Sequence, residues 1–99
     1  MTFDRSPRYF TGLFDLGRTV ATRGVLPYLE TGVIDAGQLV ARHQRGDWGD
    51  LDQDDKRANE HAVMDAERIL SSYVITKDLT VWVITEADRS ATTILLERV

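Results

Sequence analysis

The sequence predicts an α+β domain, an antiparallel sheet of three to four strands with about three helices packed on one side. Three observations carry this. Between Asp35 and Ala66, apolar residues recur at helical spacing behind acidic N-caps. From Ile69 to Leu96, runs rich in β-formers follow one another with only short turns, which implies antiparallel neighbours. The chain has 99 residues, enough for one modest core and one domain.

Residues 1–10 mix charges with Ser6 and Pro7, show no period, and read as a flexible tail; 11–99 then form the single domain. In Leu13–Val20, Phe14, Leu16 and Val20 fall on one face and Asp15, Gly17 and Thr19 on the other, the pattern of a short edge strand broken by Arg18. Thr22 offers an N-cap for a short helix carrying Val25, Leu26 and Leu29, with Pro27 near its first turn and Thr31-Gly32 as its stop.

Asp35 caps a second helix, with Gln38 three residues on as in a capping box, and Ala36, Leu39, Val40 and His43 form its inner stripe. Gly46 ends it. Asp52 opens a third helix running to about Ala66, with Asp54 and Asp55 at the positive end of its dipole. The inner face of that helix is thin: Ala58, Ala62, Val63 and Ala66. Ile69–Ile75 reads as a strand, Thr76-Lys77-Asp78 as a turn, and Leu79–Thr85, apolar on both faces, as a central strand. Ala87–Ser90 turns the chain into a last strand, Ala91–Leu96.

Composition excludes several functions. There is no cysteine, so disulfides, thiolate zinc sites and cysteine nucleophiles are ruled out. The net charge of −4 argues against nucleic-acid binding through a basic face, which needs several Lys or Arg to displace counterions. No apolar run approaches a membrane span, and Met1–Arg8 lacks a signal peptide's hydrophobic core, so a cytoplasmic location is expected.

Four polar features compete for a chemical role. Asp50-Leu51-Asp52-Gln53-Asp54 opens like a calcium loop, but Asp55 stands where the turn needs Gly and His61 where a bidentate Glu is needed. His43 precedes Asp47 by four residues, and His61 precedes Asp65 by four, a spacing that can share a helix face and hold a metal. Against this, Gly46 interrupts the first pair, and His43 lies on the apolar stripe, as a hydrogen-bonded structural histidine would. Gly46-Asp47-Trp48-Gly49 reads as a turn whose indole plugs the core. In Thr85–Ser90, Glu86 and Asp88 could act as a carboxylate pair, with Arg89 on an anion. The plainer reading is a tight turn in which Asp88 and Ser90 bond their own backbone and Arg89 pairs with an acid. No cofactor and no specific metal site are expected.

Two stretches, "RHQRGDWGDLDQDDKRAN" from Arg42 and "LSSYVITKDLTVWVITEADRSATTILL" from Leu70, resemble a family of small proteins carried by bacterial plasmids and other mobile elements. Its members share an RHxxGDWG block and a WxITEADRSxTTxLL block, usually after a short strand–helix segment for which Thr22–Leu26 stands here. The resemblance covers most of the chain from about Leu13. It departs at Glu97-Arg98-Val99, where the family has a proline and a final Glu-Tyr. It implies a mobile-element setting rather than an activity.

Two functions follow. The first is a non-enzymatic factor that binds a protein partner and modulates host defence or plasmid maintenance. Its candidate surface is the acidic rim Asp47, Asp50 and Asp54, with the loop Glu86, Asp88 and Arg89, while His43, Trp48 and Trp82 serve the structure. The alternative is a small metal-dependent hydrolase or nuclease using Asp47, Asp50, Glu86 or Asp88 with His43. Convergence of the GDWG joint and the EADRS turn in one pocket would favour the enzyme. The oligomeric state is left open.

Overall fold

The computed structural model describes residues 12–97; the expected tail, residues 1–10, lies outside them. The chain is α+β, with a four-stranded sheet in the order β1-β4-β3-β2. The strands are β1 Arg18–Ala21, β2 Ile69–Thr76, β3 Leu79–Thr85 and β4 Ala91–Leu96. Three helices lie between β1 and β2: α1 Leu26–Glu30, α2 Ala36–Gln44 and α3 Gln53–Asp65. A single 3-10 turn, Arg23–Val25, precedes α1.

Two of the three expected caps form. The Asp35 carboxylate accepts from the Gln38 amide, and Asp52 accepts from Asp55. Thr22 stands before the 3-10 turn, but its side chain makes no capping bond. β2, β3 and β4 form an antiparallel meander with β3 central.

Two expectations are corrected. The first strand is Arg18–Ala21 rather than Leu13–Val20, and it runs parallel to β4. Phe14 leaves the alternation and drops into the core from irregular backbone. The inner face of α3 is Asn59, Ala62 and Val63; Ala58 and Ala66 are exposed. A stripe built only from apolar residues misses a buried asparagine whose task is to satisfy backbone groups.

The register sorts the sheet's side chains into two faces. Tyr73, Val81, Val83 and Ile94 share one face and pack with Val25, Ile34 and Leu39. Beside that cluster, Ile69 packs with Phe14, Trp48 and Ala62. Val20, Leu70, Val74, Trp82, Ile84 and Leu95 occupy the other face, and none of them joins either cluster. The helices therefore gather on one side of the sheet, and no described helix packs on the other. No described helix is long and apolar enough to cross a membrane.

Candidate functional site

The Arg42–Asp55 stretch lies along the outer edge of β2. Gly46, at φ +90°, ends α2 and swings the chain toward the sheet. Trp48 and Asp50 then pair with β2 through backbone. The Ser72 amide donates to Trp48 O at 3.2 Å, and the Asp50 amide donates to Ser72 O at 2.7 Å. Gly49 crosses so close to Ser72 that a Cβ there would overlap the Ser72 carbonyl, and its φ of +81° also suits glycine.

Side chains close the rest of that edge. Asp50 Oδ2 accepts from the Val74 amide at 2.9 Å. The Asn59 amide group donates to Leu70 O at 2.7 Å, and its oxygen accepts from the Leu70 amide at 3.2 Å. Strand edges expose unpaired donors and acceptors that invite other chains. Here the outward groups of Leu70 and Ser72 and the Val74 amide are taken up by Asn59, the 48–50 segment and Asp50.

Asp47 anchors the loop. Its carboxylate accepts from Arg42 at 2.7 and 3.3 Å and from the Gly49 amide at 3.2 Å. The Arg42 hydrogen bond chiefly holds the Asp47 carboxyl below the usual carboxylate range, and the same bond raises the Arg42 pKa. The Arg42 guanidinium also lies 4.6 Å from the centroid of the Tyr73 ring. Tyr73 donates its hydroxyl to Asp47 O at 2.7 Å, and burial pushes its pKa up to about 12. Asp54, by contrast, is exposed and pairs with Arg57, three residues on.

His43 is completely buried and sits within a chain of hydrogen bonds. Thr92 Oγ1 donates to Leu16 O at 2.7 Å. A hydroxyl has one proton, so Thr85 must donate to Thr92 at 2.7 Å, and His43 Nε2–H must donate to Thr85 at 2.9 Å. His43 Nδ1 is then the acceptor for Ser71 Oγ at 2.6 Å. The chain of donors fixes one neutral tautomer, and burial lowers the His43 pKa to about 4. Ser71 beside His43 has the spacing of a nucleophile and its base, but the third partner is Thr85 rather than an acid. Ser71, His43 and Thr85 are all fully buried, so no substrate meets the hydroxyl.

The EADRS turn is tied to the same core from the other side. The Ser90 amide donates to Asp88 Oδ1 at 3.0 Å, and the Arg89 amide donates to Glu86 O at 2.9 Å. Hydrogen bonds from Ser90 lower the Asp88 pKa. Arg89 takes φ +61°. Its guanidinium donates to Ala62 O at 2.9 Å and Glu67 O at 2.7 Å, at the C-terminal end of α3, and to Glu86 O at 3.2 Å. That is the task of a helix C-cap, performed from another element. Arg89 therefore bonds carbonyls, where the sequence suggested an acid or an anion. It also lies 5.6 Å from the Phe14 ring centroid, and Phe14 stacks on Trp48 with centroids 6.3 Å apart.

Among the described residues, the GDWG joint and the EADRS turn meet through Phe14, a core residue. A cleft beside the joint, about 210 Å³, is lined by Leu51, Asp55, Ala58, Asn59 and Leu70. Among the described residues, no three of His, Asp and Glu come together to hold a metal ion. His43 and Asp47 do not share a helix face, because α2 ends at Gln44. His61 and Asp65 lie exposed on α3. Trp82 is half-buried on the uncovered face of the sheet.

Sequence reasoning missed Asn59, Ser71, Thr85 and Thr92. The signal was faint: small polar residues at inward positions of apolar elements, opposite one histidine. No family model matches the chain, and neither a curated protein nor a solved structure matches it.

Proposed function

We propose that the protein is a non-enzymatic binding module of a mobile genetic element that engages another protein and so modulates host defence or plasmid maintenance. One observation carries the binding reading. Val20, Leu70, Val74, Trp82, Ile84 and Leu95 share a sheet face with Ser72, Thr80 and Thr93, with Arg18 at its β1 edge, and no described helix packs on it. Val20 and Val74 are 37% and 54% exposed. Contiguous apolar surface with a central aromatic side chain suits protein recognition. The mobile-element setting rests on the resemblance of the two sequence blocks. The acidic rim has a smaller part than the sequence suggested, since Asp47 and Asp50 engage their carboxylates in hydrogen bonds within the chain.

The test compares wild-type protein with Trp82→Asp as bait in cells that carry the element. The expected result is a partner retained by the wild type and lost by the variant, with the variant's melting transition still cooperative. A partner held equally by both baits removes the sheet face from the account.

A further inference from the structure

We infer that the outer edge of β1 is a docking strand for an extended acidic segment of a partner protein, which adds to the sheet beside β1. The inference rests on the reading that the protein binds another protein, but it uses a different surface, the edge. In the parallel pairing with β4, the Arg18 amide donates to Ser90 O and the Thr22 amide to Ile94 O, each at 3.0 Å. Arg18, Val20 and Thr22 therefore turn their backbone groups inward, and Thr19 and Ala21 turn theirs away from the sheet. Among the described residues nothing pairs with them, and Arg18, Thr19 and Val20 are exposed. An added strand is the occupant such a row of donors and acceptors recognises.

Charge selects which strand. The chain carries −4 overall, yet this edge is flanked by exposed Arg18 and Arg23. No described acid forms an ion pair with either. A second copy fits poorly. With Thr19 opposite its own copy, the two Arg18 side chains share one face only a few residues apart. With Thr19 opposite Ala21, Arg18 of each chain stands opposite Thr22 of the other, one residue from its Arg23. Like charges so placed oppose pairing, and an acidic guest relieves both. Val20 and Arg18 lie on the same sheet face. The guest would set an apolar residue beside Val20 and an acidic one beside Arg18, two positions apart.

The experiment uses the full chain and a fluorescein-labelled peptide of about eight residues in which glutamate and valine stand two positions apart on one face, with threonine at the positions between. A second peptide has lysine in place of glutamate. Fluorescence anisotropy is expected to show saturable binding of the acidic peptide, about tenfold or more tighter than the basic one and weakened by salt. Arg18→Glu should reverse the preference. Thr19→Pro and Ala21→Pro should abolish binding, because each removes an outward N–H and leaves the β1–β4 bonds in place. Should a proline variant fail to melt cooperatively, Arg18→Glu decides alone.

Equal affinity for both peptides, no binding of either, or binding indifferent to all three substitutions would overturn the proposal. So would a concentration-dependent doubling of mass that Thr19→Pro abolishes, which would assign the edge to a second copy. Trp82→Asp is expected to leave peptide binding intact. Loss of the peptide result while a Trp82-dependent partner persists sinks the edge alone, and the converse sinks the face alone.

Discussion

The two edges of the sheet are built in opposite ways. β2 is eight residues long and would expose a long row of backbone groups. Its outward positions are filled by Trp48 and Asp50 backbone, by the Asp50 carboxylate and by both ends of the Asn59 amide. β1 is four residues long, and among the described residues nothing covers its outer side. Length and covering go together, since a long bare edge is an aggregation hazard and a short one is tolerable. The comparison explains the residues that first draw the eye. The run Arg42–Asp55 is spent on closing one edge, while the sparse segment Arg18–Ala21 leaves the other open.

The largest expected effect lies beneath the closed edge. Trp48 is 3% exposed, stacks on Phe14, and its carbonyl holds the Ser72 amide. Trp48→Ala should destabilise by about 3 kcal/mol, through a cavity under the loop. The indole N–H is buried without an acceptor among the described residues. Trp48→Phe removes that orphan donor while keeping the stack, so it should cost clearly less than Ala. Denaturant melts of both variants check this, and an unchanged midpoint for Trp48→Ala would break the account of the closed edge.

The next effect is a pH dependence that tethers α2 to the covered face. Folding lowers the His43 pKa from the ordinary 6.5 to about 4, through desolvation. As pH falls, the unfolded chain takes up this proton first. Stability is therefore unaffected by His43 above pH 6.5 and is lost between about 6.5 and 4, by roughly 3 kcal/mol in all. His43→Gln should flatten stability across that window, whatever its effect on the absolute value. Carboxylates with lowered pKa, such as Asp47, act below it. Urea titrations at stepped pH measure the slope.

Much of this fold is legible in the sequence, for local reasons. Asp35 and Asp52 announce α2 and α3, because a cap is a contact between residues three apart. The β-formers of β2 announce a strand, and the continuous apolar run of β3 announces a central one. What escaped is non-local. Thr19 pairs with Thr92, which no short-range pattern encodes, so local alternation overstates the length of the parallel β1 and hides its partner. Asn59 faces inward because its amide mimics a strand's backbone, whereas helical periodicity ranks asparagine as outward. His43 was legible as buried from its stripe. Its partners Ser71, Thr85 and Thr92 come from three different strands and were not.

A direct contrast of the edges comes from Asn59 and Thr19. Asn59→Ala leaves the Leu70 amide and carbonyl without partners at a half-buried site, and should cost about 2 kcal/mol. Thr19→Ala touches only exposed backbone surroundings and should stay within about 0.5 kcal/mol. Hydrogen exchange sharpens the same point. The Leu70, Ser72 and Val74 amides should be protected, and Asn59→Ala should release the first of them selectively. Similar costs at the two positions would mean that the edges do not differ in the way the hydrogen bonds indicate.

The smallest effect separates two aspartates of the acidic run. Asp50 accepts from the Val74 amide across the edge of β2, so its carboxylate replaces a missing strand. Asp54 pairs with Arg57 on the exposed side of α3, where its side chain is 88% accessible. Water and ions screen the second contact and leave the partners free to part, so such pairs contribute little. In the first contact the amide is held at a fixed place in the sheet, so the carboxylate meets it without the ordering that a water would need. Asp50→Ala should therefore cost about 1 kcal/mol, and Asp54→Ala a few tenths. Asp50→Asn keeps an acceptor oxygen and should recover part of the loss, which a pure charge effect would not allow. If Asn and Ala prove equal at position 50, the charge matters rather than the hydrogen bond, and the acidic rim regains its standing as a surface for a basic partner.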